Sequence, residues 1–598
     1  MTGSPEMIPD AKQQTRSFRL SILFLFCAML WNPGIYMTLE KAPYLPFFTV
    51  GALTFAAIGL LFSAPGFRPL RKFMLITGCA FGLLITGQLL VHASSLTLAR
   101  IGEAFWWLAI PALAYTHDKS FRKLLPVYVL TVGIYGFLYY AFRDLRGIWD
   151  AGITGNVNWT AALSAMTMIF LGWFVLDRWK RSKNAGPRKM ILGFGIAGEL
   201  LLFWQFCSIG SKGAFLAAGA TAVLFFFLRS GARIRKILIG LALLGLLAGS
   251  FLALKHTDAI GRFISDDGRV IIWENAVRLI ADHPLFGVGQ SSFENEYMRY
   301  RKADYFFLLN PAARSNHPHN HLLFMAGSWG IIGLVLWGIL LFAPLAVMIR
   351  KYYRHETVDP LDTACFLTLC YAVLHGSLDI IMVSMPTGLI ALLCLGILWR
   401  DLSVPDQTVK VIPYRKTILI MTAGAALLAI LTARTSCHAA LQVRRAYRHE
   451  LTPNEIVRTV RNCPGEYQAN FALLNYLFKR GEVPAALAVT DVMLKSHTPN
   501  YPGVHMGRGN ALMRLGRFSE ALENYRIEAE LFPLTLRPVY NMIVAARAMK
   551  EPALAAKLET ELRERMRIRG NDERDLKIII MGKKGAHYDL RVREKPEE

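Results

Sequence analysis

Phe263-Ile-Ser-Asp-Asp-Gly-Arg269-Val-Ile-Ile-Trp273 opens, and His317-Pro-His319-Asn320-His321 closes, one long polar interval inside an otherwise apolar part of the chain. Apolar blocks long enough to cross a bilayer stand on both sides of it. A polar connection of this length between membrane helices is costly to order unless it carries function. The interval 255–321 therefore reads as a large external loop of an all-α, polytopic membrane helix bundle, and the rest of the chain is assigned outward from it.

Hydrophobic residues make up 54% of the 598 residues and charged residues only 18%, a balance that sets the chain apart from soluble globular proteins. Thirteen apolar blocks read as spans: 20–37, 45–62, 73–92, 96–115, 124–142, 161–176, 190–207, 214–228, 237–254, 322–349, 363–378, 386–399 and 418–433. The pair around Pro386 reads equally as one bent element, so the expected number is twelve or thirteen. The first block follows Lys12, Arg16 and Arg19 without a small-x-small cleavage pattern, which predicts an uncleaved span after a cytoplasmic segment 1–19.

The formal charge of +24 raises nucleic acid as a partner. The basic residues instead fall in short clusters between apolar blocks, as the positive-inside rule predicts, and form no basic face with interleaved aromatics. With the N-terminus in the cytoplasm, Arg71 and Lys72, Lys119 to Lys123, Arg178 to Lys189, Arg229 to Lys236, Arg350 to Arg354 and Lys410 to Lys416 all fall on the cytoplasmic side. The short connections on the opposite side hold few cations: Lys41, Arg143, Arg146 and Lys212. This alternation predicts that the 255–321 loop, and everything after the membrane domain 20–433, lie outside, on the face of the membrane away from the cytoplasm.

The region 434–569 is soluble in character and repetitive. Gly509 to Tyr525, with Gly516, Phe518 and Ala521 between and Pro533 after, has the small and aromatic spacing of a tetratricopeptide unit. Gly481 and Ala486 mark a unit before it, and Pro552 and Ala556 a degenerate one after it. The alternative is a generic array of helical hairpins. Either stacks into a solenoid able to dock a protein partner. A charged tail, 570–598, completes the chain. Six of the eight cysteines lie in apolar blocks as packing residues; Cys437 and Cys463 read either as a disulfide or as two thiols.

Several residues stand out for chemistry. Arg269 comes after a turn-and-cap sequence and begins a helix whose Val270, Ile271, Trp273, Val277 and Ile280 mark an amphipathic face suited to a membrane surface. A guanidinium at a helix start suits a diphosphate, and it equally suits a pairing with Asp266 or Asp267. His319 has the residue type to take a proton from a hydroxyl nucleophile at neutral pH, and Asn320 to orient substrate or imidazole. A three-histidine metal site is disfavoured because His319 and His321 lack helical i,i+4 spacing. Gly330 and Gly333, one turn apart, predict close helix packing. Lys212, in Gly210-Ser211-Lys212-Gly213, either snorkels or holds a lipid diphosphate. Arg100 with Glu103, and His375 with Asp379, share helix faces inside apolar blocks; each pair is either self-satisfied or functional.

Taken together, His319-Asn320 with Gly330-Ile-Ile-Gly333 after it, Arg269 with Trp273, His283-Pro284-Leu285-Phe286-Gly287-Val288-Gly289, and Gly155-Asn156-Val157-Asn158 resemble the O-antigen ligase family, which includes O-antigen polymerases and protein O-oligosaccharyltransferases. Lys212 departs from that family's usual arginine, keeping the charge and losing the bidentate fork. The resemblance covers roughly residues 20–400 and leaves the repeats as an appendage. It implies a glycosyltransferase C type bundle acting on a glycan carried by undecaprenyl diphosphate. Arg269 and Lys212 would bind the diphosphate and His319 would activate the acceptor hydroxyl. Asn320, Asn158, His375, Asp379 and Arg100 would support, with no metal or other cofactor. The expected acceptor is lipid A-core, which makes this a step of lipopolysaccharide synthesis; a protein hydroxyl and another lipid-linked glycan are the alternatives. A lipid-glycan transporter or an envelope scaffold is the reading from a different class.

Overall fold

The computed structural model describes residues 11–30, 60, 70–91, 107–142, 152–154, 156–231, 233–235, 268–290, 293–297, 300, 317–383, 386–403, 438, 441–443, 445–463, 467–495, 503–532 and 536–568. These residues are helical apart from short connections and one isolated bridge between Leu70 and Ser403. The protein is an all-α, multi-pass membrane protein.

The membrane part begins with α1 (Ala11–Leu30), α2 (Lys72–Val91), α3 (Trp107–Thr116) and α4 (Asp118–Ala141). It continues through α5 (Val157–Arg181), α6 (Ala185–Ile209), α7 (Lys212–Arg229), the loop helices α8 (Gly268–Asp282) and α9 (Phe293–Tyr297), then α10 (His321–Tyr353), α11 (Pro360–Gly376) and α12 (Thr387–Leu398). Five of these, α4, α5, α6, α7 and α10, are long and apolar enough to cross a membrane. The expected blocks 45–62, 237–254 and 418–433 fall almost wholly outside the described residues.

Polar chemistry sets the helix ends. Asn156 caps α5 with its side-chain oxygen on the N–H groups of Asn158 (2.8 Å) and Trp159 (3.4 Å). Gly210 closes α6 in the left-handed conformation (φ 66°), and Ser211 caps α7 at once, so α6 and α7 form a tight hairpin. At the other end of the bundle, charge joins elements that are distant in sequence. Arg122 of α4 pairs with Asp362 and, at 2.9 Å, with Asp359 at the start of α11; Arg400 reaches Asp362 (3.3 Å) and Asp118 (3.7 Å). Lys351, near the end of α10, pairs with Asp401 at 2.8 Å.

Helix α10 departs from expectation. Gly330 lies inside it with φ 68° and ψ −176°, which is not helical, so the helix is broken there. The motif loop fills the break. Val288 and Gly289 donate to the carbonyls of Gly327 and Ser328 at 2.9 and 2.8 Å. Ile331 and Ile332 donate to Pro284 and Leu285 at 2.8 and 3.4 Å. A Cβ on Gly330 would sit 2.0 Å from the Leu285 carbonyl oxygen. Gly330 thus makes room for backbone, not for a neighbouring helix. Gly333 keeps the expected packing role, since a Cβ there would come within 3.0 Å of Leu84 on α2.

The face of α8 also needs correction. Ile272, Ala276 and Leu279 are its buried apolar residues, while Val277 is 52% exposed. The buried set is spaced i, i+4, i+7 and belongs to the bundle core with Phe293 and Tyr297 of α9.

The C-terminal part is a series of helices: α13 (Pro453–Asn462), α14 (Tyr467–Arg480), α15 (Val483–Lys495), α16 (Val504–Arg514), α17 (Phe518–Leu531), α18 (Leu536–Ala548) and α19 (Pro552–Ile568). Their turns repeat: Gly481, Gly516 and Lys550 all have positive φ, at 76°, 75° and 61°. Gly509 gives Tyr525 its place, because a Cβ would lie 2.5 Å from that ring. In the last unit the buried small residue is Ala555, not Ala556. Cys463 is buried at the end of α13, and Cys437 lies outside the described residues.

Candidate active site

Four helix ends meet at the end of the bundle opposite the Arg122–Asp362 cluster: the starts of α5, α7 and α10 and the segment just after α11. The α11 helix, 17 residues long, separates the two clusters by about 25 Å at its standard rise.

The centre is His319. It has φ 48°, an uncommon conformation for a residue with a side chain. Asn320 makes this possible by anchoring the start of α10. Its Oδ1 caps that helix by accepting from Leu323 N–H (3.1 Å), and its Nδ2 donates to the Ser377 carbonyl (2.9 Å). Each end of the amide thus has a partner in the protein, and Asn320 anchors the start of α10.

His319 Nδ1 lies 3.4 Å from Asp379 Oδ1. Asp379 is 1% exposed and His319 27% exposed, so the carboxylate is interior and the imidazole faces the open side. The carboxylate also accepts from Asn158 Nδ2 (2.7 Å), from Ile380 N–H (2.7 Å) and, weakly, from Trp159 Nε1 (3.5 Å). Ser211, capping α7, donates to Asn158 Oδ1 at 2.8 Å and fixes which way that amide faces. A chain of contacts thus runs Ser211, Asn158, Asp379, His319, drawing on three helix starts.

Burial alone would push the Asp379 carboxyl upward. The hydrogen bond and charge of His319, the nearby His317 and the Ile380 N–H outweigh it and hold the group below the usual carboxylate range. His317 moves down to about 4, chiefly through burial and then through the like charge of His319, with Asp379 opposing. It is therefore a neutral imidazole at neutral pH. Its Nδ1 accepts from His319 N–H (3.3 Å), and its ring stacks on Trp159 with centroids 6.4 Å apart.

The other anticipated residues divide. His375 and Asp379 do not pair through their side chains as expected: α11 ends at Gly376, so Asp379 is off the helix and turns to His319. His375 is buried, with Nδ1 3.0 Å from the Tyr371 hydroxyl. Arg269, at the start of α8, is close enough for its charge to act on His375. A Cβ on Gly213, next to the exposed Lys212, would lie 3.6 Å from His375 Nε2. The α7 and α8 starts thus flank the His319–Asp379 centre. Arg100, Asp266 and Asp267 lie outside the described residues. His321 leaves the histidine cluster altogether and is buried beside Trp107 and Trp337, at 5.1 and 4.9 Å.

Sequence reasoning missed Ser211, Trp159 and His317 as parts of the site. Ser211 carried a signal, as a cap residue directly before Lys212. His317 stood in the histidine cluster without a role of its own, and Trp159 carried no signal, because its role comes from contacts across the fold.

This arrangement suits proton abstraction. A carboxylate on Nδ1 keeps the proton there and leaves the Nε2 lone pair for an incoming hydroxyl. Residues 197–338, which contain α7, α8, the loop 283–289, His319 and the break in α10, match the family described as O-antigen ligase. No curated protein matches the chain.

Proposed function

We propose that this protein, whose residues 197–338 match the family described as O-antigen ligase, is a glycosyl-transferring membrane enzyme that moves a glycan from undecaprenyl diphosphate to an acceptor hydroxyl at the periplasmic face. The acceptor we favour is lipid A-core. The observation that carries this reading is the His319–Asp379 pair, 3.4 Å apart, held at the meeting point of the helix starts.

The acceptor O–H gives its proton to His319 Nε2 while its oxygen attacks the anomeric carbon from the face opposite the diphosphate. The bond from that carbon to the diphosphate oxygen breaks, and the lipid diphosphate leaves. Configuration inverts in this single displacement. Asp379 stabilises the imidazolium that forms. Arg269 and Lys212 flank the site with positive charge, where diphosphate anion develops. Lys212 contributes a point charge with no bidentate geometry. The cleaved linkage supplies the energy, and no metal takes part in the displacement.

The orientation rests on the basic helix ends. Arg178, Lys180 and Arg181 end α5, Arg229 ends α7, and Arg350 and Lys351 lie in the last turn of α10, all at the end remote from His319. The positive-inside rule puts that end in the cytoplasm and His319 in the periplasm. The C-terminal helical repeats favour a second reading, with a protein serine or threonine as acceptor, because stacked helix pairs present a concave surface for peptides.

Membranes containing wild type or His319→Ala at matched expression, given lipid-linked glycan, test the proposal. The variant is expected to lose transfer by at least about 10²-fold, with donor accumulating. Separating lipid-linked from protein-linked product names the acceptor. Undiminished transfer by His319→Ala would remove the residue from the mechanism.

A further inference from the structure

His319 belongs to a second constellation. One side-chain ligand atom from each of His317, His319 and Asp379 lies within 4.8 Å of the others. The spacing of these residues in sequence gives no hint of it, because the carboxylate arrives from beyond α11. We propose that His317, His319 and Asp379 bind one divalent transition-metal ion of the zinc class, and that this ion shuts off proton abstraction at His319.

Two imidazoles and one carboxylate form a donor set that zinc, cobalt, nickel and copper accept, and calcium or magnesium do not favour. Zinc sits about 2.0–2.2 Å from such atoms, which puts tetrahedral ligand atoms about 3.3–3.5 Å apart. Closing from within 4.8 Å to that spacing requires side-chain movement of roughly 1 Å. Three protein ligands leave a fourth position for water, on the side where His319 is exposed.

The surrounding groups already hold the carboxylate as an ion requires. Asn158 and the Ile380 N–H hold the Asp379 carboxylate, each at 2.7 Å. Outer contacts of this kind orient metal-binding side chains and typically contribute about 10–100-fold to affinity. His317 gives up the bond that its Nδ1 accepts from the His319 N–H when it binds the ion, because a neutral imidazole has one lone pair.

The inhibitory effect arises because His319 has two ring nitrogens. An ion on Nε2 occupies the lone pair that would take the acceptor proton. An ion on Nδ1 moves the proton to Nε2, with the same result. Metal and acceptor hydroxyl are thus mutually exclusive at this residue. Ion binding stands independently of the transfer reaction; its inhibitory effect rests on the function proposed above.

Full-length protein, purified in detergent through a tag without histidines and stripped with chelator, would be titrated with Co²⁺. Wild type is expected to develop the visible bands of four- or five-coordinate cobalt, saturating at one equivalent and bleached by Zn²⁺. His317→Gln should lose them while keeping its helical circular dichroism and elution volume, and His438→Gln, far from the site in sequence, should keep them. No saturable bands in wild type, or bands that persist in His317→Gln, would overturn the site. In wild-type membranes, Zn²⁺ should stop glycan transfer and chelator should restore it. Cobalt bands with zinc-insensitive transfer would leave the metal site standing and remove His319 as the base.

Discussion

Asp379 and His319 show how a residue acquires a role its sequence position does not give it. Asp379 falls four residues after His375, and on a continuous helix the two would share a face. The helix stops at Gly376, and the carboxylate instead turns to a histidine sixty residues earlier in the chain. His319 meets it from a left-handed backbone conformation that costs about 1–2 kcal/mol. Asn320 maintains that conformation through the α10 cap and the Ser377 carbonyl. Asp379→Asn keeps the shape and the contact with Asn158 but removes the charge that stabilises the imidazolium. We expect kcat to fall on the order of 10²-fold or more with little change in KM, measured by initial rates of donor consumption. A loss confined to KM would mean that Asp379 serves substrate binding and not the histidine.

At the scale of the element, the break in α10 is the decisive feature. A 33-residue apolar helix could run uninterrupted through a bilayer. Here Gly330 opens it, and the freed backbone groups bond to the segment from Pro284 to Gly289. Non-helical backbone at such a place is tolerated where protein covers it. Gln88 of α2 reinforces the junction by donating to the Phe286 and Ser328 carbonyls, the latter at 3.1 Å. Gly330→Ala meets the Leu285 carbonyl and a positive φ together. We expect a loss on the order of 3 kcal/mol or more, read as a lowered melting temperature in detergent. Gly333→Ala should also destabilise, since a Cβ there would lie 2.3 Å from Trp329 Cβ and 3.0 Å from Leu84, but it meets no backbone atom and no positive φ.

Across the whole molecule, two polar clusters lie at opposite ends of an apolar bundle and do different work. The cluster of Asp118, Arg122, Asp359, Asp362 and Arg400 joins α4, α11 and the turn after α12. Removing one partner of a buried pair leaves the other charge unsatisfied. Arg122→Ala, which leaves the 6%-exposed Asp362 side chain with Arg400 alone, should therefore destabilise by about 3 kcal/mol, the low end for a broken buried pair, in denaturation experiments in detergent. Transfer per folded molecule should remain near wild type, because the other cluster is a helix length away. The site end is the one with fewer cations in its connections, which is the asymmetry the positive-inside rule uses to orient a bundle.

Much of this architecture was legible in the sequence. Apolar blocks, cap residues and basic clusters are local signals, and α4, α5, α6, α7 and α10 appear where the hydropathy puts them. The left-handed turns at Gly481 and Gly516 are legible for the same reason, since glycine there relieves a local steric cost. His319, Asn320 and Asn158 stood out by residue type and neighbourhood. Only the tertiary structure decided that Asp379 contacts His319, that Asn158 is aimed by Ser211, that His321 belongs to the core, and that Gly330 breaks a helix to seat a loop. Each of those outcomes depends on groups far apart in the chain competing for the same buried hydrogen bonds, and no window of sequence contains both competitors.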